Sequence, residues 1–184
     1  WLLGCGVAAP PLLLAFFFWA VSRHPGYDHA SDTVSKLTAL GVDDFWPWST
    51  GLVLFALLMV GFATGLRRRF GDHEWSNALA WTVRIHGVLL MLVAAFRDDL
   101  TPGGFLTLEG AAHDVVSGMA FVTLVLAMGV LVVVAGRDPA WLPLRRLTGA
   151  VLVLVCVLGI AFLFTPPRVQ GIPQRVFALI ILAW

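Results

Sequence analysis

The sequence is poor in charged residues. Only 12% of its 184 residues are charged, about half the usual quarter, whereas 59% are apolar and the mean hydropathy is +0.89. A soluble globule cannot cover this much apolar surface, so a bilayer must be the solvent. At about 20 residues per span, five or six spans and their loops use the whole length. We therefore predict a single transmembrane domain over residues 1–184.

Cysteine and net charge are also scarce. Cys5 and Cys156 both lie inside apolar runs, which excludes a disulfide framework and a CxxC metal motif. The net charge of +1 excludes nucleic acid as a partner. The expected partners are membrane lipids, with other membrane-protein subunits as a further possibility. The chain begins at Trp1 and ends at Trp184 within an apolar run, so we expect both ends to be trimmed.

Apolar runs bounded by charge or proline predict six spans, the last of them cut short. They cover Trp1–Ser22, Ser49–Leu66, Ala78–Phe96, Ala111–Gly136, Leu147–Thr165 and the residues from Ile172 onward. All six are expected to be helices, because an unpaired strand cannot satisfy its backbone in lipid and no alternating barrel pattern occurs. The predicted fold is an all-α integral membrane protein, a six-transmembrane-helix bundle with a structured outer loop between helices one and two.

Basic residues indicate the orientation. The second and fourth connections contain six arginines against three acidic residues, namely Arg67, Arg68, Arg69, Arg137, Arg145 and Arg146 against Asp72, Glu74 and Asp138. The positive-inside rule places these connections in the cytoplasm, together with the amino terminus. We therefore expect Asp72 to be cytoplasmic and Gly103 to be extracytoplasmic. The expected location is the bacterial plasma (inner) membrane.

Polar residues gather on the predicted outer side. This outer polar site comprises His29, Asp32, Ser35, Asp98, His113, Ser117, Gln174 and Arg175. On a short helix predicted after Pro25-Gly26, Asp28, Asp32 and Ser35 would share one face. The first loop also carries enough apolar surface to favour docking on the bundle. We expect docking to bring Asp32 or Ser35 near His113 and the 168–175 segment.

Three short motifs carry a family resemblance. They are Ser31-Asp32-Thr33-Val34-Ser35-Lys36-Leu37 running to Gly41, His113-Asp114 at the start of the fourth span, and Gly171-Ile172-Pro173-Gln174-Arg175-Val176-Phe177 leading to Trp184. In this order they resemble an uncharacterised family of bacterial and archaeal multi-span membrane proteins, domain of unknown function nine-nine-eight. The resemblance implies a six-helix integral membrane protein with extracytoplasmic polar motifs, and it implies no established activity.

The outer polar site permits three interpretations. In the first it is a hydrogen-bonded lid whose acids pair with Arg23, Arg97, Arg168 and Arg175. In the second it is a pocket that binds a polar head group or small ligand without chemistry. In the third its histidines and carboxylates bind zinc and hydrolyse a lipid at the outer leaflet. Intramembrane ceramidase-like hydrolases use Ser, Asp and several His, but this chain has His113 and Ser117 where a paired HxxxH would be wanted.

Two ionisable residues, Arg84 and His86, lie inside the third apolar run, where such residues are costly and default to a functional hypothesis. Arg84 can extend to the inner surface. His86 either forms a helix-to-helix hydrogen bond or ligates a pigment. No second histidine is expected at its depth, so we predict no haem and no cofactor.

The function expected from the sequence is that of a polytopic plasma-membrane protein of undefined biochemical role with an extracytoplasmic polar site or lid. It is expected to be non-enzymatic or an accessory subunit of a larger complex. The alternative is a lipid-directed hydrolase, metal-dependent or metal-free, acting at the outer leaflet. Transport has little support, since no internal repeat is evident.

Overall fold

The computed structural model describes residues 1–99 and 107–184. Within these ranges the chain is helical, without a strand, and six α-helices follow one another. They are α1 (Gly4–Ser22), α2 (Trp46–Phe70), α3 (Glu74–Ala95), α4 (Leu108–Ala135), α5 (Leu142–Leu163) and α6 (Gly171–Ala183). Five are long and apolar enough to cross a membrane, and the 13-residue α6 is a shorter apolar helix. The chain is thus a multi-pass membrane protein.

Helices α2 to α5 extend the predicted spans at one end or both, whereas α1 begins at Gly4 and α5 ends at Leu163, inside the predicted spans. Helix α2 begins at Trp46 and continues to Phe70, past the predicted end at Leu66. Helix α3 begins at Glu74 rather than Ala78, because the side chain of His73 caps it by accepting a hydrogen bond from the Ser76 N–H at 3.1 Å. Charged residues in the flanks therefore do not mark the ends of these helices.

Consecutive helices pack against each other, and small residues allow close approach. A Cβ atom at Gly65 of α2 would lie 2.9 Å from the backbone nitrogen of Leu3, so only glycine lets the start of α1 pack here. One core cluster joins α2, α3 and α4 through Ala63, Leu79 and Leu131.

The bundle has two chemically distinct ends. The basic face contains the α2–α3 and α4–α5 connections and the helix ends beside them, which carry Arg67, Arg68, Arg69, Arg137, Arg145 and Arg146. The acidic face contains the first loop (residues 23–45), residues 96–99 after α3 and the α5–α6 connection. Gly103, expected to be extracytoplasmic, lies outside the described residues.

The first loop is folded onto the acidic face. It forms a turn at Asp28–Asp32 and then a 3-10 helix, Val34–Thr38, rather than the single short helix predicted from the sequence. The carboxylate of Asp32 accepts a hydrogen bond from the Asp28 N–H at 2.9 Å, which holds the turn in a non-helical conformation. Leu37 is fully buried in a cluster with Ala20 and Trp48, so apolar burial docks the loop on α1 and α2.

Candidate functional site

A cavity of about 600 Å³ opens at the acidic face, between the first loop and helices α4, α5 and α6. Its polar end is lined by Asp32, Ser35, Lys36, Asp98, Asp99, His113, Asp114, Ser117 and Gln174. Its other wall is apolar and contains Gly118, Phe121, Gly159, Ile160, Phe162, Leu163 and Phe177. Six of the eight residues of the predicted outer polar site therefore line one cavity.

His113 and Ser35 form the centre of the polar end. The His113 side chain is 2% exposed. Its Nδ1 lies 2.8 Å from the carbonyl oxygen of Phe96, and its Nε2 lies 3.1 Å from Ser35 Oγ. A carbonyl can only accept, so Nδ1 carries the proton, and in the neutral ring Nε2 accepts from the Ser35 hydroxyl. The result is a serine hydrogen-bonded to a fixed imidazole base at the cavity wall.

Asp98 and Asp114 place negative charge beside this pair. Burial raises the pKa of Asp98 above its ordinary value; the charge of Asp114 acts in the same direction, whereas His113 and the hydrogen bond from the Asp99 N–H oppose it. Within the described residues, neither Asp98 nor Asp114 forms an ion pair with a lysine or arginine. The polar end is therefore electronegative.

Asp32 is buried and satisfied by its own loop. Its side chain accepts a hydrogen bond from Lys36 Nζ at 2.5 Å and another from the Asp28 N–H at 2.9 Å. It lies in the docked loop, and its carboxylate is paired with Lys36 and not with an arginine of α6. Asp32 thus shapes the loop that carries Ser35.

Arg175 binds the first loop through backbone carbonyls, which corrects the expectation that arginines pair the acids. Its Nη1 donates to the carbonyl oxygens of His29 and Asp32 at 2.7 and 2.9 Å. Its Nη2 donates to the Tyr27 hydroxyl at 2.6 Å. Burial raises the pKa of Tyr27 to about 12, so that hydroxyl stays protonated and donates onward to the carbonyl of Thr33.

Arg97 plays the same role from the other side of the loop. Its Nη2 donates to the carbonyl oxygens of Ala39 and Val42 at 2.7 and 2.8 Å. Of the four arginines expected to pair acids, Arg23 alone does so within residues 1–99 and 107–184, with Asp44 at 3.0 Å. Carbonyl groups of a loop have no sequence signature, so residue types alone could not reveal these partners.

Gln174 connects α6 to the loop and to the cavity. Its side-chain oxygen accepts a hydrogen bond from the Val34 N–H at 2.6 Å. That bond fixes the amide orientation, because an N–H group requires an acceptor. The amide nitrogen of Gln174 has no hydrogen-bond partner in the described part of the chain, which leaves a donor for a ligand.

His29 lies outside the cavity, contrary to its expected place in the site. Its ring packs against Tyr27 and Phe17, with centroid distances of 5.3 and 6.2 Å. The apolar wall of the cavity was not predicted from the sequence. The pattern that could have indicated it lies in α4, where His113, Ser117 and Phe121 recur at a spacing of four and so follow one helix face.

The two intramembrane residues of α3 have different environments. His86 is 8% exposed, and its Nδ1 lies 2.9 Å from the carbonyl oxygen of Ala120, which makes an interhelical hydrogen bond to α4. Arg84 reaches toward the basic face, where its Nη2 donates to Thr64 Oγ1 at 3.2 Å.

Metal ligation was the third interpretation of the polar site. Across residues 1–99 and 107–184, no three His, Cys, Asp or Glu side chains converge in a way that could hold a metal ion. The buried nitrogens of His113 are engaged by Phe96 and Ser35. The donor set described here therefore does not fit a zinc centre.

Known proteins provide a family but no characterised relative. Comparison with curated proteins and with solved structures finds no match. The family model described as protein of unknown function, DUF998, matches residues 7–184. Because that match covers nearly the whole chain, the protein belongs to this family.

Proposed function

We propose that this protein binds an amphiphile with a cationic head group in the acidic-face cavity. The observation that supports the proposal is the division of one cavity into a polar end and an apolar wall. Its volume of about 600 Å³ is within the range of small-molecule sites. The shape of the lining matches a molecule with a polar head and a hydrocarbon tail.

The charge of the lining selects the head group. Four carboxylates, those of Asp32, Asp98, Asp99 and Asp114, line the cavity against one ammonium group, that of Lys36. A cationic amine would balance this excess and remove the electrostatic cost of ionised Asp98. An anionic head group would add to the repulsion. In this proposal the protein acts as a non-enzymatic lipid-binding component, either alone or as a subunit of a membrane complex, with the acidic face outside the cell.

A cavity-filling variant tests the binding site. A Cβ atom at Gly118 meets nothing within 4 Å, so Gly118→Leu extends into the cavity without a backbone clash. Gly129→Leu is the matched control, since Gly129 lies on the same helix, has equal space and does not line the cavity. The probe is dodecylammonium, added to protein in maltoside detergent while the thermal unfolding temperature is recorded.

Dodecylammonium is expected to stabilise the wild type and Gly129→Leu by several degrees, because it binds the folded state. Gly118→Leu should show no such shift, and dodecanoate should stabilise none of the three proteins. An equal shift in Gly118→Leu and Gly129→Leu would contradict the proposal, because the amine would then act through the detergent or another surface.

The Ser35–His113 contact favours a second candidate, an ester hydrolase acting on the bound amphiphile. Its chemistry requires a nucleophile, a base and a group that orients the base, and these are Ser35, His113 and the Phe96 carbonyl. The free amide nitrogen of Gln174 is the donor available to a developing oxyanion.

The reaction balances with water alone. The Ser35 oxygen attacks the ester carbonyl carbon while its proton moves to Nε2 of His113. The ester C–O bond then breaks, and that proton leaves with the alcohol. Water attacks the acyl-serine and transfers a proton to Nε2, and the proton returns to Ser35 as the carboxylic acid departs.

A long-chain alkyl fluorophosphonate distinguishes this candidate from simple binding. It should modify Ser35 in the wild type, and His113→Gln should slow labelling by about 10²-fold. Ser31→Ala is the control, because Ser31 also lines the cavity but its hydroxyl bonds to Asp28 at 3.1 Å. An unlabelled Ser35 in folded wild-type protein would eliminate the hydrolase and leave the binding function intact.

A further inference from the structure

A second cavity lies at the basic face, between the end of α2 and the first half of α3. Its volume is about 430 Å³, and its lining consists of Thr64, Arg67, Arg68, Gly71, Asp72 and Arg84. Three guanidinium groups therefore surround a space that contains one carboxylate. Neither the proposed amphiphile site nor the family description accounts for this feature.

The single carboxylate is already satisfied. Asp72 Oδ1 accepts from Arg67 Nη2 at 3.1 Å and from Asn77 Nδ2 at 3.1 Å. In the described part of the chain, Arg68 and Arg84 form no ion pair. Two positive charges at this cavity thus remain without a counter-charge from the protein.

Of Arg68 and Arg84, Arg84 gives the stronger indication of a bound anion. It lies about 15 Å along α3 from Glu74, at 1.5 Å per residue, on a helix long and apolar enough to span a membrane. Its only polar contact in the described residues is the neutral hydroxyl of Thr64, at 3.2 Å. An arginine at this depth is costly unless a partner compensates it.

The exposed Trp81 favours a position of this cavity near the head-group region of the membrane. The guanidinium carbon of Arg84 lies 5.1 Å from the ring centroid of Trp81, whose side chain is 62% exposed on the outside of the bundle. Exposed tryptophans favour the head-group region of a bilayer. Ligands that reach this cavity therefore include lipid head groups.

We propose that the basic-face cavity binds a phosphate group, held by Arg84 and Arg68, with the phosphate of an anionic lipid as the ligand in the membrane. Guanidinium groups present forked donors that match phosphate oxygens. Basic pockets between transmembrane helices are suited to such head groups. The site is independent of the acidic-face cavity, where the amphiphile is proposed to bind, because the two cavities lie at opposite faces of the bundle.

Native mass spectrometry of delipidated protein tests the site. Dioleoylphosphatidylglycerol and dioleoylphosphatidylcholine are the lipid probes, and inorganic phosphate is added separately in a thermal unfolding assay. Arg84→Gln and Arg68→Gln remove one charge each from the cavity. Arg69→Gln is the matched control, since Arg69 packs over Trp141 and does not line the cavity.

The wild type and Arg69→Gln should retain phosphatidylglycerol in preference to phosphatidylcholine. Arg84→Gln and Arg68→Gln should each weaken this retention by about tenfold, the effect of losing a charge-assisted hydrogen bond. Stabilisation by inorganic phosphate that disappears in Arg84→Gln would identify free phosphate as a ligand of the same site. Equal losses in Arg69→Gln and Arg84→Gln would overturn the proposal, because binding would then follow net charge alone. Melting curves without lipid confirm that the variants are folded.

Discussion

Burial at the acidic-face cavity changes the protonation of Asp98. Its carboxyl group lies in the connection after α3, where burial, with a smaller contribution from the charge of Asp114, raises its pKa. The raised pKa means that the folded state binds this proton more tightly than the unfolded state. The ionised form therefore reduces the free energy of unfolding.

Asp98→Asn should consequently stabilise the ligand-free protein at neutral pH. Protonated Asp98 contributes to the free energy of unfolding. This contribution is fully present below the ordinary pKa of 3.8 and is lost as the pH rises through the raised pKa of the folded state. Because the group is still partly solvated, we expect the unfolding temperature to rise by about 2 °C at pH 7 and the gain to fade toward pH 4. Thermal unfolding measures this, with exposed Asp43→Asn as the control. Equal behaviour of the two variants would contradict the environment described for Asp98.

Residue types could indicate the chemistry of this site but not all of its contacts. His113 and Ser35 could be selected from the sequence because they carry polar groups near a predicted membrane boundary. The hydrogen bond between them could not be predicted, because 78 residues separate them and the docking of the first loop determines the distance between Ser35 Oγ and His113 Nε2. The role of Arg175 was misassigned for a related reason, since backbone carbonyls are present at every position of a loop.

At the level of elements, the contact between the first loop and α6 depends on one glycine. Gly171 begins α6, and a Cβ atom there would lie 2.5 Å from the carbonyl oxygen of Asp32 and 2.7 Å from that of His29. It would also clash with Arg175 Nη1. The missing side chain is therefore what lets Arg175 reach both carbonyls.

Gly171→Ala should separate the first loop from α6. Two of the three close contacts involve backbone, which cannot move without displacing the loop. Hydrogen–deuterium exchange should show faster exchange at Val34, whose N–H is protected by Gln174, and unchanged exchange in the middle of α2. Gly149→Ala is the control, because a Cβ atom there meets nothing within 4 Å. Unchanged protection of Val34 in Gly171→Ala would show that the loop is held by other contacts.

Hydropathy predicted the existence and order of the helices well, because an apolar run in lipid has few structural alternatives. It did not predict their ends. Residues 46–48 and 67–70 continue α2 beyond the apolar run from which its span was predicted. A short helix was predicted after Pro25-Gly26, and the side-chain hydrogen bonds of Asp28 and Asp32 hold its first part in a turn.

For the whole molecule, the two faces differ in charge, and this difference sets the proposed orientation. Six arginines in and beside the α2–α3 and α4–α5 connections lie on the basic face, which the positive-inside rule assigns to the cytoplasm. The amphiphile cavity would then open to the outside and the phosphate site to the inside. The amphiphile site would contact the outer leaflet, and the phosphate site would contact the inner leaflet.

Cysteine labelling in intact cells tests this orientation. With Cys5 and Cys156 replaced, Asp72→Cys on the basic face should react with a membrane-impermeant maleimide only after the membrane is opened. Asp43→Cys, in the exposed part of the first loop, should react in intact cells. The reverse pattern would invert the orientation and move the amphiphile cavity to the cytoplasmic leaflet.

Photolabelling by a long-chain amine with a diazirine in its tail locates the bound amphiphile most directly. Mass spectrometry of the peptides should find label on the cavity wall, at Phe121, Ile160 and Phe177. Excess dodecylammonium should abolish that label, and Gly118→Leu should lack it while Gly129→Leu retains it. Label spread evenly over the lipid-facing sides of all helices, without competition and unchanged in Gly118→Leu, would contradict an amphiphile site in this cavity.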